Sequence, residues 1–241
     1  MNNKRKGTST IFFILLLAVF FMTACESIPE ESQESEDSSS KEAVEGETEE
    51  GDTVEESLSK SPSHISFSRD GKLAFVTNVV SNDVSVLDVE KKEIVDTIPV
   101  GRVPNEGKPS ADGSMLYVAS LLDDVLSVVD IEKGEEVLRI PAGAGTHGVA
   151  VSEDDEFVWT ANRNSGDVTV IDLSVNEVIE TIETGDMPNH VFQVPNSGKM
   201  YISNLESDDI AVVDMETYEV IKKIDVGSRP HEIGFLPKLK P

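Results

Sequence analysis

The chain has 241 residues, of which 46 are acidic and 20 basic, giving a formal net charge of −26 at pH 7. Recognition of nucleic acid rests on Lys and Arg neutralising phosphates, so a charge of this sign argues against that class of partner. One cysteine leaves no internal disulfide, and burial with strand pairing must hold the fold together.

At the N-terminus Lys4, Arg5 and Lys6 precede the apolar run IFFILLLAVFFMTA, Ile11 to Ala24. Its 14 residues fall short of the ~20 that a bilayer-spanning helix needs and suit the apolar part of an export signal. The run ends Met22-Thr23-Ala24-Cys25, and small residues before a lone Cys resemble the lipobox of bacterial lipoproteins. That resemblance implies a signal peptide over 1–24, lipidation of Cys25, and a chain held in the cell envelope outside the cytoplasm, with the membrane as partner through the lipid. Met22 stands where Leu is usual, and an uncleaved anchor with an incidental Cys is the other reading.

Residues 25–61 are dominated by Glu, Ser and Gly with almost nothing apolar to bury, which predicts disorder. Self-repelling charge favours extension beyond the ~30 Å of a flexible coil of that length, so the segment reads as a tether.

From residue 62 the chain repeats. Gly101, Gly143, Gly185 and Gly227 are spaced by 42, as are Asp88, Asp130, Asp172 and Asp214. Asp70, Asp112, Asp154 and Asn196 keep the same step, and so do Asn78, Ser120, Asn162 and Asn204. Each copy holds four short runs rich in β-branched residues, such as HISFS, LAFVTN, DVSVLD and EIVDTIPV in the first. Asp70-Gly71 and Asp112-Gly113 suit tight connections between the first two runs. The glycines of the Val-Gly element are expected to supply positive φ where one unit passes to the next. Four antiparallel strands per ~40-residue repeat predict an all-β fold, a β-propeller over 62–241.

The segments FVWTANRNSGDVTVIDLSVNEVIETIETG and MYISNLESDDIAVVDMETYEVIKKIDVGSRPHEIGF resemble the YVTN family of β-propeller repeats, whose second-strand motif is matched by AFVTN, Ala74 to Asn78. The resemblance covers about residues 62 to 237. It implies surface-layer or periplasmic company and a binding or scaffolding role. Lactonases and a haem-binding nitrite reductase share the propeller plan, but neither carries its diagnostic site into this sequence. A non-catalytic, membrane-anchored module taking a protein or small-molecule ligand is the leading expectation, and a metal-dependent hydrolase or lactonase-like enzyme is the alternative.

Residues that could carry chemistry fall at two adjacent repeat positions, at the start of the first strand. One phase holds His64, Glu106, Gly148, His190 and Glu232; the other holds Ser63, Asn105, His147, Asn189 and His231. Propeller symmetry brings equivalent positions to the channel mouth, where imidazoles mixed with carboxylates suit a divalent metal, zinc or copper. On that reading His64, His190 and Glu106 act together, flanked by His147, His231 and Glu232. The competing reading is that His and Asn cap backbone groups there and recur by duplication. Asp88 and its equivalents are read as turn acceptors, and Trp159 as a residue packed between blades.

Four full repeats end near residue 229, and PHEIGFLP, Pro230 to Pro237, begins a fifth first strand. The expectation is an open arc of four blades plus a strand, whose exposed blade edges invite self-association or docking on a partner; a ring closed by four blades and a chain truncated from a longer propeller are the alternatives.

Overall fold

The computed structural model of the chain describes residues 60–234. The expected signal peptide, Cys25, nearly all of the acidic tether and the last part of the fifth first strand lie outside the described residues.

Each repeat folds as one antiparallel sheet with its strands in chain order. The first comprises β1 (Pro62–Phe67), β2 (Leu73–Asn78), β3 (Asp83–Asp88) and β4 (Glu93–Pro99). The second comprises β5 (Pro104–Pro109), β6 (Met115–Ser120), β7 (Val125–Asp130) and β8 (Glu135–Pro141). The third is built from β9 (Thr146–Val151), β10 (Phe157–Asn162), β11 (Asp167–Asp172) and β12 (Glu177–Glu183). The fourth is built from β13 (Pro188–Val194), β14 (Lys199–Asn204), β15 (Asp209–Asp214) and β16 (Val220–Asp225). These are four blades of a β-propeller, with no helix among the described residues.

The repeated polar residues fix the turns. Asp70 Oδ1 accepts from Ser68 Oγ at 2.8 Å and from Lys72 N at 3.1 Å, and Asp112 and Asp154 do the same for their blades. Asp88, Asp130, Asp172 and Asp214 accept from the backbone N–H groups of the turn after the third strand. The buried Asn78 donates to Asp83 Oδ1 at 2.6 Å and Ser85 Oγ at 2.9 Å, and Asn162 and Asn204 reach Asp167 and Asp209 alike. In the second blade the Ser120 and Ser127 hydroxyls pair at 3.0 Å instead.

The Val-Gly glycines have a different role from the one expected. None of Gly101, Gly143, Gly185 and Gly227 has positive φ; that conformation falls two residues later, at Val103, Gly145, Met187 and Arg229 (φ 54, 72, 55 and 56°). Gly101, Gly143 and Gly185 give room, whereas a Cβ on Gly227 would meet nothing within 4 Å. A Cβ on Gly101 would lie 2.6 Å from Ser120 Cβ, and one on Gly185 would lie 2.5 Å from Asn204 Nδ2, so the chain leaving one blade passes flush against the buried Asn or Ser of the next.

Three apolar cores lie between the four blades. Phe75, Val84, Val86 and Ile98 of the first meet Leu116, Val118 and Val129 of the second. Tyr117, Ala119, Leu126, Val128 and Ile140 meet Val149, Val158 and Ile171. Trp159 and Val170 of the third blade pack on Met200, Ile202 and Val213 of the fourth. In the second and third blades one sheet face therefore serves the preceding blade and the other the following one.

The first strands are innermost: β1 packs on β5, β5 on β9 and β9 on β13, and β13 has no comparable contact with β1. Equivalent residues register the opening. On the fourth strand of each blade Ile98, Ile140 and Ile182 are 1, 2 and 7% exposed, whereas Ile224 is 36% exposed because no described blade follows it. On the first strand Val149 and Val191 are buried, while Ile65 is 50% exposed. The described blades form an open arc.

The expected fifth first strand is corrected in part: Pro230–Gly234 joins no sheet. It does hold the place of one. His231 O accepts from Ser203 Oγ at 3.0 Å, as Asn105 O accepts from Thr77 Oγ1 at 2.8 Å one blade after β2. A ladder needs a following second strand, and none lies within the described residues.

Candidate functional site

A β-bulge marks the start of the inner strands. The ladder slips between Pro62 and His64, between Pro104 and Gly107, beside Thr146, and between Pro188 and His190. In a regular strand neighbouring side chains point to opposite faces, but a bulge leaves one residue unpaired and bends the strand. Two adjacent repeat positions can then address one region, the inner rim of the arc.

Glu106 on β5 is the hub, only 3% exposed. Its Oε2 accepts from His190 Nδ1 at 2.9 Å and from Val149 N at 3.1 Å. Its Oε1 lies 2.9 Å from Lys108 Nζ and 3.6 Å from His64 Nε2. The carboxylate of the second blade thus reaches the imidazole of the fourth across the third. Gly148 permits this: a Cβ there would collide with the Asn189 carbonyl oxygen and lie 2.9 Å from His190 Cα.

Around His190 the rings gather. His147 meets it edge to face with centroids 5.4 Å apart, and the His231 ring lies 5.1 Å away on the C-terminal segment. Glu232 Oε2 is 4.0 Å from His190 Nε2. His147 Nδ1 donates to Asn189 O at 3.1 Å. The Asn189 side chain accepts from Arg163 Nε at 2.7 Å and donates to His231 O at 3.2 Å, tying the third blade to the C-terminal segment.

Burial would raise the Glu106 carboxyl, but the His190 hydrogen bond and the charges of Lys108 and His64 outweigh it and hold the group at about 2. Burial, with Arg163 and His190 beside it, lowers His147 to about 3. Burial also lowers His64 and His231. The rim is therefore an anionic carboxylate beside an ammonium group, with His64, His147 and His231 disfavouring protonation around it.

All six rim residues expected from the sequence, His64, Glu106, His147, His190, His231 and Glu232, come together. Their parts differ. Both oxygens of Glu106 are engaged within the protein, so it orients His190, whose Nδ1–H it accepts, leaving Nε2 with the free lone pair. That Nε2 is buried and has no hydrogen-bond partner. Lys108 and Arg163 escaped the sequence reading. For Lys108 the signal was its place two residues after Glu106 on one strand face; nothing in the sequence placed Arg163 beside Asn189. Open clefts lie at the other end of the strands, among turn residues such as Ser152, Asp154, Asp214 and Glu216.

Among solved structures, a chain of the hydrazine synthase of Kuenenia stuttgartiensis superposes with a TM-score of 0.66 at 24% identity, covering 72% of this chain and 50% of that one. At that identity the likeness concerns the fold alone, and the protein spans half the length of that neighbour. No curated protein matches the chain significantly. The sequence model described as YNCE-like beta-propeller matches residues 59–240, which takes in every blade and the C-terminal segment. The chain belongs to the YNCE-like beta-propeller family.

Proposed function

We propose that this propeller is a non-catalytic binding module of the bacterial cell envelope, tethered by a lipid on Cys25 and spaced from the membrane by the acidic segment 25–61. The location rests on the charged start, the short apolar run and the Ala24-Cys25 junction. The binding role rests on one observation: all four blades and the C-terminal segment send six titratable side chains to one rim, where the buried His190 presents a ring nitrogen that no protein group satisfies. Its ligand is a small molecule or an exposed protein group able to meet imidazoles, and the net charge of −26 makes nucleic acid an unsuitable partner.

The test is thermal unfolding of the full chain in mild detergent against panels of divalent ions, small carboxylates and phosphates, and imidazole-binding compounds. A ligand at about 100 times its Kd adds ~2.7 kcal/mol, a rise of roughly 5–10 °C for a domain of this size. His190→Ala should abolish the rise. Turnover of lactone or ester substrates that disappears in His190→Ala would replace the binding role with hydrolysis.

A further inference from the structure

We infer that the rim holds one divalent transition-metal ion, zinc by preference, bound by His190 Nε2, the His231 ring and the Glu232 carboxylate, with Glu106 as the partner that orients His190. The inference rests on reading the rim as the recognition surface and names its ligand class.

Three observations carry it. One ligand atom each from His190, His231 and Glu232 lies within 4.8 Å of the others, so the three already face a common point. His190 Nε2 is the anchor: its side chain is 8% exposed, and the nitrogen has no hydrogen-bond partner. A buried polar atom left unmatched costs stability, and a cation would satisfy it. The third observation is the hydrogen bond behind the ring. Histidines that ligate metal characteristically donate their other N–H to a carboxylate, which fixes the tautomer and raises ligand basicity; Glu106 accepts from His190 Nδ1 at 2.9 Å.

Glu106 itself is unsuited to be a ligand, since Lys108, Val149 N and His190 already occupy its two oxygens. His64 lies on the Lys108 side of that carboxylate and stays outside the set. Two imidazoles and one carboxylate give a neutral–neutral–anionic donor set suited to a borderline ion and leave a fourth position for water or a ligand atom. Tetrahedral ligands at 2.0–2.2 Å sit about 3.4 Å apart, so the trio must close by roughly 1 Å. His231 and Glu232 are exposed on a segment without sheet pairing and can make that movement, while His190 keeps its seat.

The site also accounts for why two residues of the C-terminal segment share the rim with the blades: the ion would clamp Pro230–Gly234 onto the fourth blade beside the hydrogen bonds that reach His231 O.

The full chain in detergent, stripped with chelator, is titrated with cobalt(II) and then displaced with zinc, following the visible d–d absorption and the heat. One equivalent with the intense absorption of a four- or five-coordinate ion is expected. His231→Ala and Glu232→Gln alter exposed side chains and leave the blades folded; each should weaken cobalt binding at least tenfold. Glu106→Gln should weaken it 10- to 100-fold with the absorption maximum retained. Glu216→Gln, an exposed side chain at the opposite end of the strands, should leave binding unchanged. Weak binding of several ions, unaltered in the His231→Ala, Glu232→Gln double variant, would assign the metal to the acidic segment and overturn the site. A small-molecule ligand that still binds at the rim of a chain taking up no cobalt would likewise overturn the metal site while leaving the binding module in place.

Discussion

Gly148→Ala is the most direct probe of how the fold makes the rim. The added Cβ would collide with Asn189 O and come within 2.9 Å of His190 Cα, both backbone atoms that no rotamer change can move aside. β9 and β13 must then separate, at about 1–3 kcal/mol for overpacking. Their separation also carries His190 away from Glu106, and a charge-assisted hydrogen bond of this kind contributes about 1.5–3 kcal/mol. The two together amount to roughly 2.5–6 kcal/mol, or a fall in Tm of about 5–24 °C at ~2–4 °C per kcal/mol. Thermal unfolding followed by circular dichroism measures it. Gly227→Ala is the matched control, since a Cβ there meets nothing within 4 Å and its φ is not positive; its melt should stay within about 2 °C of the parent. A Gly148→Ala protein that melts like the Gly227→Ala protein would show that the inner strands of the third and fourth blades are not in such close contact, and the reach of Glu106 to His190 would lose its explanation.

Asn162→Ala removes a buried amide that donates to Asp167 Oδ1 at 2.7 Å and accepts from Thr146 and Thr160, so urea unfolding should reveal a loss of about 1–3 kcal/mol, with Asn162→Ser milder because Ser120 fills the same place one blade earlier. Acid should weaken the metal-free domain before its carboxylates titrate. His147 resists protonation down to about 3 against 6.5 unfolded, so the unfolded chain takes up a proton that the folded one refuses, and stability is full above pH 6.5 and declines below it. By pH 4.5 the loss is about 3 kcal/mol, and His147→Gln should flatten that slope; a Tm constant from pH 7 to 4.5 would refute the burial of a neutral ring. Glu106 acts lower, its stabilisation present above pH 4.5 and lost toward about 2. Cys25→Ala should leave the chain at its unprocessed, unlipidated mass, and unchanged membrane retention with no shift in processed mass would count against the lipid anchor.

The blades were legible because their signals are local and recur. Asp70, Asp88 and Asn78 with their equivalents 42 residues apart mark turns by the hydrogen bonds such side chains make, and the period-2 runs between them gave strands within two residues of those found. Left-handed positions were hidden where bulky residues hold them. Val103 and Met187 carry positive φ where one blade passes to the next, and Lys92 and Tyr218 carry it in turns closed by their own N–H groups to Asp88 O and Asp214 O. The opening of the arc was legible only in the count, four full repeats and the start of a fifth, and in no side chain: Ile224 matches the buried Ile98, Ile140 and Ile182, and only the presence of a following blade separates their exposures.

At the rim the sequence showed which residues meet and concealed what each does, for a reason that lies in the repeat itself. Duplication supplies the same inner-strand position in every blade, so a scaffold role alone predicts similar residues along the phase 64, 106, 148, 190 and 232. The phase instead runs His, Glu, Gly, His and Glu, and the exception is Gly148. A side chain there would separate Glu106 from His190; its absence lets a carboxylate two blades away orient the imidazole. The chemistry of the rim therefore depends on a residue that contributes no functional group. A bulge that frees adjacent positions, a glycine that removes a barrier and a carboxylate buried between them act over separations of 42 and 84 residues, beyond the reach of any local pattern. Equal treatment of the blades would have made a symmetric ring of polar caps; breaking the repeat at one position directs the free nitrogen of His190 toward His231 and Glu232.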